Sequence, residues 1–167
     1  MDPEPLRGVP LPALSLPATT GSAVELGSPE LGDHVLFVYP KTGRPDRPAP
    51  AAWATFPGAK GCTAQSCEFR DLADDFARIG FRILGLSGQA SDYQREAAER
   101  LHLPYPLLSD PGLRLAAELG LDTFEFERER LYARVTLVVR AGVIDRAYRQ
   151  IPDPGAHPKS VLADLGG

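Results

Sequence analysis

Cysteine is almost missing from this chain: 167 residues carry two, Cys62 and Cys67. Blocks of basic charge are missing too. The 18 Lys and Arg are scattered against 22 Asp and Glu, for a net charge of −4, which excludes recognition of nucleic acid or of an anionic membrane surface. No apolar run approaches the ~18 residues a membrane-spanning helix needs. The start, Met1-Asp2-Pro3-Glu4-Pro5, has neither the basic nor the apolar region of a signal peptide. The three histidines, His34, His102 and His157, lie far apart and near element ends; they form no metal-ligand spacing and read as solvated or capping residues. Internal repeats and low-complexity tracts are absent. What is present is a 43% hydrophobic content, enough for one packed core. These features predict a single domain over residues 1–167, cytoplasmic, with a small substrate or a soluble protein partner. In that compartment a cysteine pair is more often redox-active than a permanent staple.

The two cysteines stand five residues apart in Gly61-Cys62-Thr63-Ala64-Gln65-Ser66-Cys67-Glu68-Phe69-Arg70-Asp71, where a glycine turn runs into a helical pattern. Cys62 falls at the predicted helix start. Its sulfur faces unpaired backbone N–H groups and the positive end of the helix dipole, a setting that favours thiolate and hence a nucleophile. Cys67 lies more than a turn further on, in a pattern with Phe69, Leu72, Ala73, Phe76 and Ile79 that places it partly buried. On an intact helix, residues with this spacing have Cα atoms roughly 8–9 Å apart, and a disulfide needs them within about 7 Å. Pairing therefore requires the first turns to unwind, so the pair is a switchable bond.

The pattern of apolar runs predicts an α/β domain with a mixed sheet. Residues 1–30, with Pro10, Pro12 and Pro17, read as an extended edge segment, with a hairpin tip at Thr19-Thr20-Gly21-Ser22. His34 to Tyr39 is a buried central strand. Residues 42–61 carry Pro45, Pro48, Pro50 and Pro57 with Trp53 and Phe56, which predicts a long ordered loop rather than a helix. A helix from Cys62 to Gly80, a strand over 81–87, a helix capped by Ser91, a short strand at 106–108 and a helix between Asp110 and Gly120 follow. Leu131 to Val139 reads as one strand, joined by the turn Arg140-Ala141-Gly142 to a second over 143–148. A short helix from His157 to Leu165 ends the pattern. The charged run Glu125 to Arg130 reads as a solvated segment, with docking of a reductant as its less favoured use.

In that order the residues resemble the peroxiredoxins, and most closely the bacterioferritin-comigratory-protein or PrxQ branch. The resemblance rests on Phe37-Val38-Tyr39-Pro40-Lys41, the Gly61-Cys62-Thr63…Cys67-x-Phe69-Arg70-Asp71 segment, Leu84-Gly85-Leu86-Ser87, Tyr105-Pro106-Leu107-Leu108-Ser109-Asp110 and Arg134-Val135-Thr136-Leu137-Val138-Val139. It implies a thioredoxin-like fold, a mixed central sheet flanked by helices, that reduces hydrogen peroxide and organic hydroperoxides with no cofactor or metal. It further implies Cys62 as the peroxidatic cysteine, Cys67 as the resolving cysteine, Arg134 as the active-site arginine and thioredoxin or a similar dithiol protein as reductant. Tyr39 and Pro40 shape the floor of such a site. A monomer is the expected state, with a dimer as the other option.

One departure from the family pattern stands out. The proline and the Thr or Ser that normally lie seven and three residues before the peroxidatic cysteine are Thr55 and Ala59 here. Residues 43–60 read as an insertion, and Thr42, at its other end, is the candidate to supply the missing hydroxyl. Trp53 and Phe56 read as residues that pack the loop, with walling the pocket for bulkier hydroperoxides as their less favoured use. The same departure keeps a second class open, a redox-responsive binding protein whose Cys62–Cys67 disulfide switches a partner surface. A protein-disulfide oxidoreductase is disfavoured because such proteins use a C-x-x-C pair.

Overall fold

A computed structural model describes residues 5–44, 46, 49–56 and 58–166. The acidic start at residues 1–4 and the loop prolines Pro45, Pro48 and Pro57 lie outside the described residues. The central sheet has five strands in the order β5-β4-β3-β8-β9. Strands β3 (His34–Val38), β4 (Arg82–Ser87) and β5 (Leu107–Ser109) are parallel, while β8 (Val135–Arg140) runs antiparallel to β3 and β9 (Val143–Tyr148) antiparallel to β8. Every residue of β3 is buried, as expected of a central strand covered on both faces.

Alternate residues of the strands feed two apolar layers. On one face Leu36, Val38, Leu84, Leu86, Leu137 and Val139 pack with the hairpin β1 (Leu14–Leu16)–β2 (Val24–Leu26) and the helix α4 (Arg114–Leu119). On the other, Val35, Phe37, Ile83, Leu107 and Val138 receive Phe69 and Phe76 of α2 (Cys62–Arg78) and Val161 of α5 (His157–Asp164). Phe37 stacks on Phe69 at 4.6 Å and meets Tyr105 edge-on at 5.7 Å. Gly85 permits this crowding: a Cβ there would lie 2.6 Å from Leu107 and 2.9 Å from the Phe37 ring. The helix α3 (Ser91–Arg100) leads back towards β5.

Three expectations need correction. The insertion contains a short helix, α1 (Ala51–Thr55). Its five residues are too few to show a period, but they are the proline-free, alanine-rich stretch between Pro50 and Pro57. Ser91 does not cap α3; Ala90 holds the extended cap position without a side-chain bond, and the first turn instead has Asp92 accepting from the Tyr93 N–H. The 131–139 strand is two strands, broken at Ala133-Arg134: β7 (Glu129–Tyr132) pairs with β6 (Thr123–Phe126) in a separate hairpin, and β8 begins at Val135. The charged run Glu125 to Arg130 forms most of that hairpin, with Glu127 and Arg128 at positive φ in its turn, and its charged side chains are exposed as a solvated segment requires. Its charges alternate with Phe124 and Phe126, which face the insertion.

Two histidines also depart from the solvated or capping role. His34 and His157 are buried, and only His102 is exposed. Each buried ring has a neutral partner, the Gly32 carbonyl for His34 and the Thr136 hydroxyl for His157.

Candidate active site

Gly61 sets the site. Its φ of 106° is open to glycine at little cost, and a Cβ at this position would collide with Pro154 at 2.8 Å. The turn it makes delivers Cys62 as the first residue of α2. No side chain caps this helix, and its first ladder bond is Gln65 N–H to the Gly61 carbonyl. The N–H groups of Cys62, Thr63 and Ala64 therefore lack intrahelical partners at the end of the helix that Cys62 begins. The Cys62 side chain is 3% exposed, with its sulfur 3.7 Å from the Ala59 carbonyl.

Arg134 reaches this sulfur from the break between β7 and β8, where the chain leaves one sheet for another. Its Nη2 donates to Cys62 Sγ at 3.3 Å and to the carbonyls of Gly58, Ala59 and Lys60 at 3.4, 3.3 and 3.1 Å. Its Nη1 donates to Gln65 Oε1. The guanidinium is 7% exposed, and among the described residues no carboxylate pairs with it. A buried cation calls for a negative partner. Of the groups it contacts, only the Cys62 sulfur can carry such a charge.

Cys67 is half-buried and five residues along the same helix; both cysteines are free. Thr42 is buried, but its N–H and hydroxyl both donate to Gln89 Oε1, at 3.1 and 3.4 Å, and Gln89 Nε2 donates back to the Thr42 carbonyl. The structure thus brings Cys62 and Arg134 together and holds Thr42 in a reciprocal pair with Gln89. Ala59 is fully buried in a cluster with Trp53, Phe126 and Leu131, against which Phe56 and Phe124 pack. The insertion's aromatics consequently support the carbonyl loop that grips Arg134.

Sequence reasoning passed over Gln65 and His157. Gln65 is fully buried and holds the guanidinium; its spacing of three from Cys62 on a helix, which places both on one face, was the available signal. His157 binds Thr136, two residues beyond Arg134, and its pKa is pushed down to about 4 by burial and then by the Arg134 charge. Nothing in local sequence links it to that strand.

The Redoxin family profile matches residues 6–165. This chain belongs to the redoxin family. Among its relatives, the chloroplastic peroxiredoxin Q of Arabidopsis thaliana is 30% identical over 95% of this chain, and that of Sedum lineare 29% identical over 93%. The matches span 66% and 75% of those proteins' own lengths, the first just under two thirds. The crystal structure of peroxidoxin BcpB from Mycobacterium tuberculosis is 29% identical, with a TM-score of 0.74 and 95% of each chain covered. A PrxQ mutant from Xylella fastidiosa shares the fold at a TM-score of 0.78 and 20% identity, over 98% of this chain and 97% of that one. These relatives place this redoxin in the peroxiredoxin Q-like branch, with the thioredoxin-like fold of that group.

Proposed function

We propose that this redoxin is a thiol peroxidase in which Cys62 reduces hydrogen peroxide or an organic hydroperoxide and Cys67 resolves the product. The observation that carries the reading is the Cys62 sulfur held at 3.3 Å by a buried guanidinium that, among the described residues, has no carboxylate partner. The thiolate attacks one peroxide oxygen and the O–O bond breaks; the departing oxygen takes a proton and leaves as water or an alcohol. Arg134 and the free N–H groups at the start of α2 stabilise the charge that moves onto that oxygen. Cys62 is left as a sulfenic acid. The Cys67 sulfur then attacks the Cys62 sulfur, the S–O bond breaks, and water leaves with the thiol proton. A dithiol protein of the thioredoxin kind returns both thiols by exchange. A reducing compartment such as the cytosol suits this cycle, and a monomer suffices for it, since both cysteines lie on one helix.

The test is to mix reduced protein with one equivalent of hydrogen peroxide, without reductant, and follow free thiols and intact mass. Loss of both thiols with a mass decrease of about two units supports the cycle. Cys62→Ser should abolish the reaction, while Cys67→Ser should allow one turnover that stops at the sulfenic acid. Survival of both thiols for many minutes in the unmodified chain would favour the redox-responsive binding protein instead. The specific observation behind that second reading is Ala59, which supplies no hydroxyl beside the sulfur.

A further inference from the structure

Two bonds that leave the helix hold the segment between the two cysteines: Gln65 Oε1 accepts from Arg134, and the Ser66 carbonyl accepts from Tyr105. Tyr105, in the approach to β5, donates its hydroxyl to the Ser66 carbonyl at 2.7 Å. That carbonyl immediately precedes Cys67. The ring is anchored edge-on against Phe37 in the core and is 7% exposed. Burial pushes its phenol far above the ordinary tyrosine range, so the hydroxyl stays a donor at any pH the protein meets.

The same turn contains groups that gain from opening. Among the described residues, the Gln65 Nε2 and the Ser66 hydroxyl are both buried without a hydrogen-bond partner. A buried polar group without a partner carries its desolvation cost uncompensated, and unwinding the turn returns both to water. Two features thus oppose each other between Cys62 and Cys67. Uncompensated polar groups favour opening, and the hydrogen bonds from Arg134 to Gln65 and from Tyr105 to Ser66 favour closure; of the two, the Tyr105 bond is the one outside the peroxide site.

From this geometry we infer that Tyr105 is a positioning residue that latches the first turns of α2, so that its bond to Ser66 sets the rate at which Cys67 reaches Cys62. The inference rests on the resolving role proposed for Cys67. The latch acts after the peroxide step: Cys62, Arg134 and the Gly58-to-Lys60 carbonyls are arranged without Tyr105, so capture of peroxide does not depend on it. The step it governs is attack of the Cys67 thiol on the Cys62 sulfenic acid, with water as the other product. While the latch holds, the sulfenic acid persists and a second peroxide can convert it to sulfinic acid.

The experiment compares the unmodified chain with Tyr105→Phe and Ser66→Ala in two readouts. Rapid-quench mass spectrometry after one equivalent of hydrogen peroxide separates sulfenic acid formation from disulfide formation. Tyr105→Phe should leave the first phase unchanged and speed the second by about two- to tenfold, the loss of one hydrogen bond. It should also yield less sulfinic acid under excess peroxide. Ser66→Ala removes an orphan and should slow the second phase and yield more. A merely structural role for Tyr105 would lower the melting temperature and change both phases together. The second readout is amide hydrogen exchange over residues 62–67 in the reduced protein, which needs no redox step. Faster exchange in Tyr105→Phe supports the latch even if the unmodified chain forms no disulfide, an outcome that would sink only the resolving role of Cys67. Equal exchange in all three proteins, or second phases equal within about twofold, overturns the latch.

Discussion

Arg134 Nη2 lies 3.3 Å from Cys62 Sγ while Nη1 of the same guanidinium is held by Gln65, three residues further along the helix that Cys62 begins. One rigid fork thus connects the reactive sulfur to its own helix, which fixes the sulfur's direction as well as its charge environment. An ammonium lacks the planar pair of nitrogens that makes the two contacts here. Arg134→Lys should therefore slow the first-turnover loss of the Cys62 thiol by about 10²–10³-fold, the range seen when a preorganised donor to developing charge is removed. Stopped-flow mixing with hydrogen peroxide reads this directly. A loss below about fivefold would assign the stabilisation to the helix N–H groups alone.

Thr42 separates the sequence expectation from the structure. With its hydroxyl and N–H both given to Gln89, Thr42→Val should cost about 0.5–1.5 kcal/mol of stability. The first-turnover rate should stay within roughly threefold, under about 1 kcal/mol of barrier. A fall of a hundredfold would show that the hydroxyl turns from Gln89 to the peroxide during reaction, the role its place in the sequence suggested.

The insertion should contribute to activity through packing. Trp53 meets Phe126 edge-on at 4.9 Å, Phe56 stacks on Phe124 at 5.1 Å, and Lys41 Nζ sits 5.0 Å above the Trp53 ring. Ala59 is buried in the same cluster, and its carbonyl accepts from Arg134. Trp53→Ala is expected to destabilise this corner by up to about 3–5 kcal/mol and to reduce the first-turnover rate, since the carbonyl loop loses its backing. Denaturant melts and stopped-flow rates on one preparation check both halves. An unchanged rate with a lowered melt would mean that the loop holds its shape without the aromatics.

How far the sequence carried the reading depends on the range of the interactions involved. The β3–α2–β4 unit was legible because continuous apolar strands and a glycine-bounded amphipathic helix are local patterns, as was the start of α2 at Cys62. The break at Ala133-Arg134 was not. Residues 131–139 are apolar enough to read as one strand, and only pairing with β6 on one side and β3 on the other divides them. Arg134 was picked out by family resemblance, yet what makes it effective, its position at that break, is tertiary. Gln89, forty-seven residues from Thr42, and Tyr105, thirty-nine from Ser66, act through contacts that no local pattern encodes. His157 was misread because helix starts usually face solvent, whereas this one docks on β8.

That docking gives the fold a defined acid sensitivity. The His157 ring is 7% exposed, binds the Thr136 hydroxyl at 2.9 Å, and has Arg134, Asp164 and Tyr148 as its charged or titratable neighbours. Burial, then the Arg134 charge, lowers its pKa from 6.5 to about 4, with Asp164 acting in the opposite sense. Between these values the unfolded chain binds a proton that the folded chain refuses, so stability rises with pH across the window and falls as pH drops from 6.5 towards 4. Above pH 7 the residue contributes no slope. His34, also lowered chiefly by burial, acts in the same direction. His157→Gln keeps a donor and acceptor near Thr136 but cannot titrate. Urea midpoints at pH 7.5, 6.0 and 5.0 should fall less steeply in this variant than in the unmodified chain, and less steeply again on adding His34→Gln. If the single variant and the unmodified chain showed parallel midpoints over that range, the ring would have to accept its proton inside the fold, and the packing of α5 on β8 would be looser than its burial indicates.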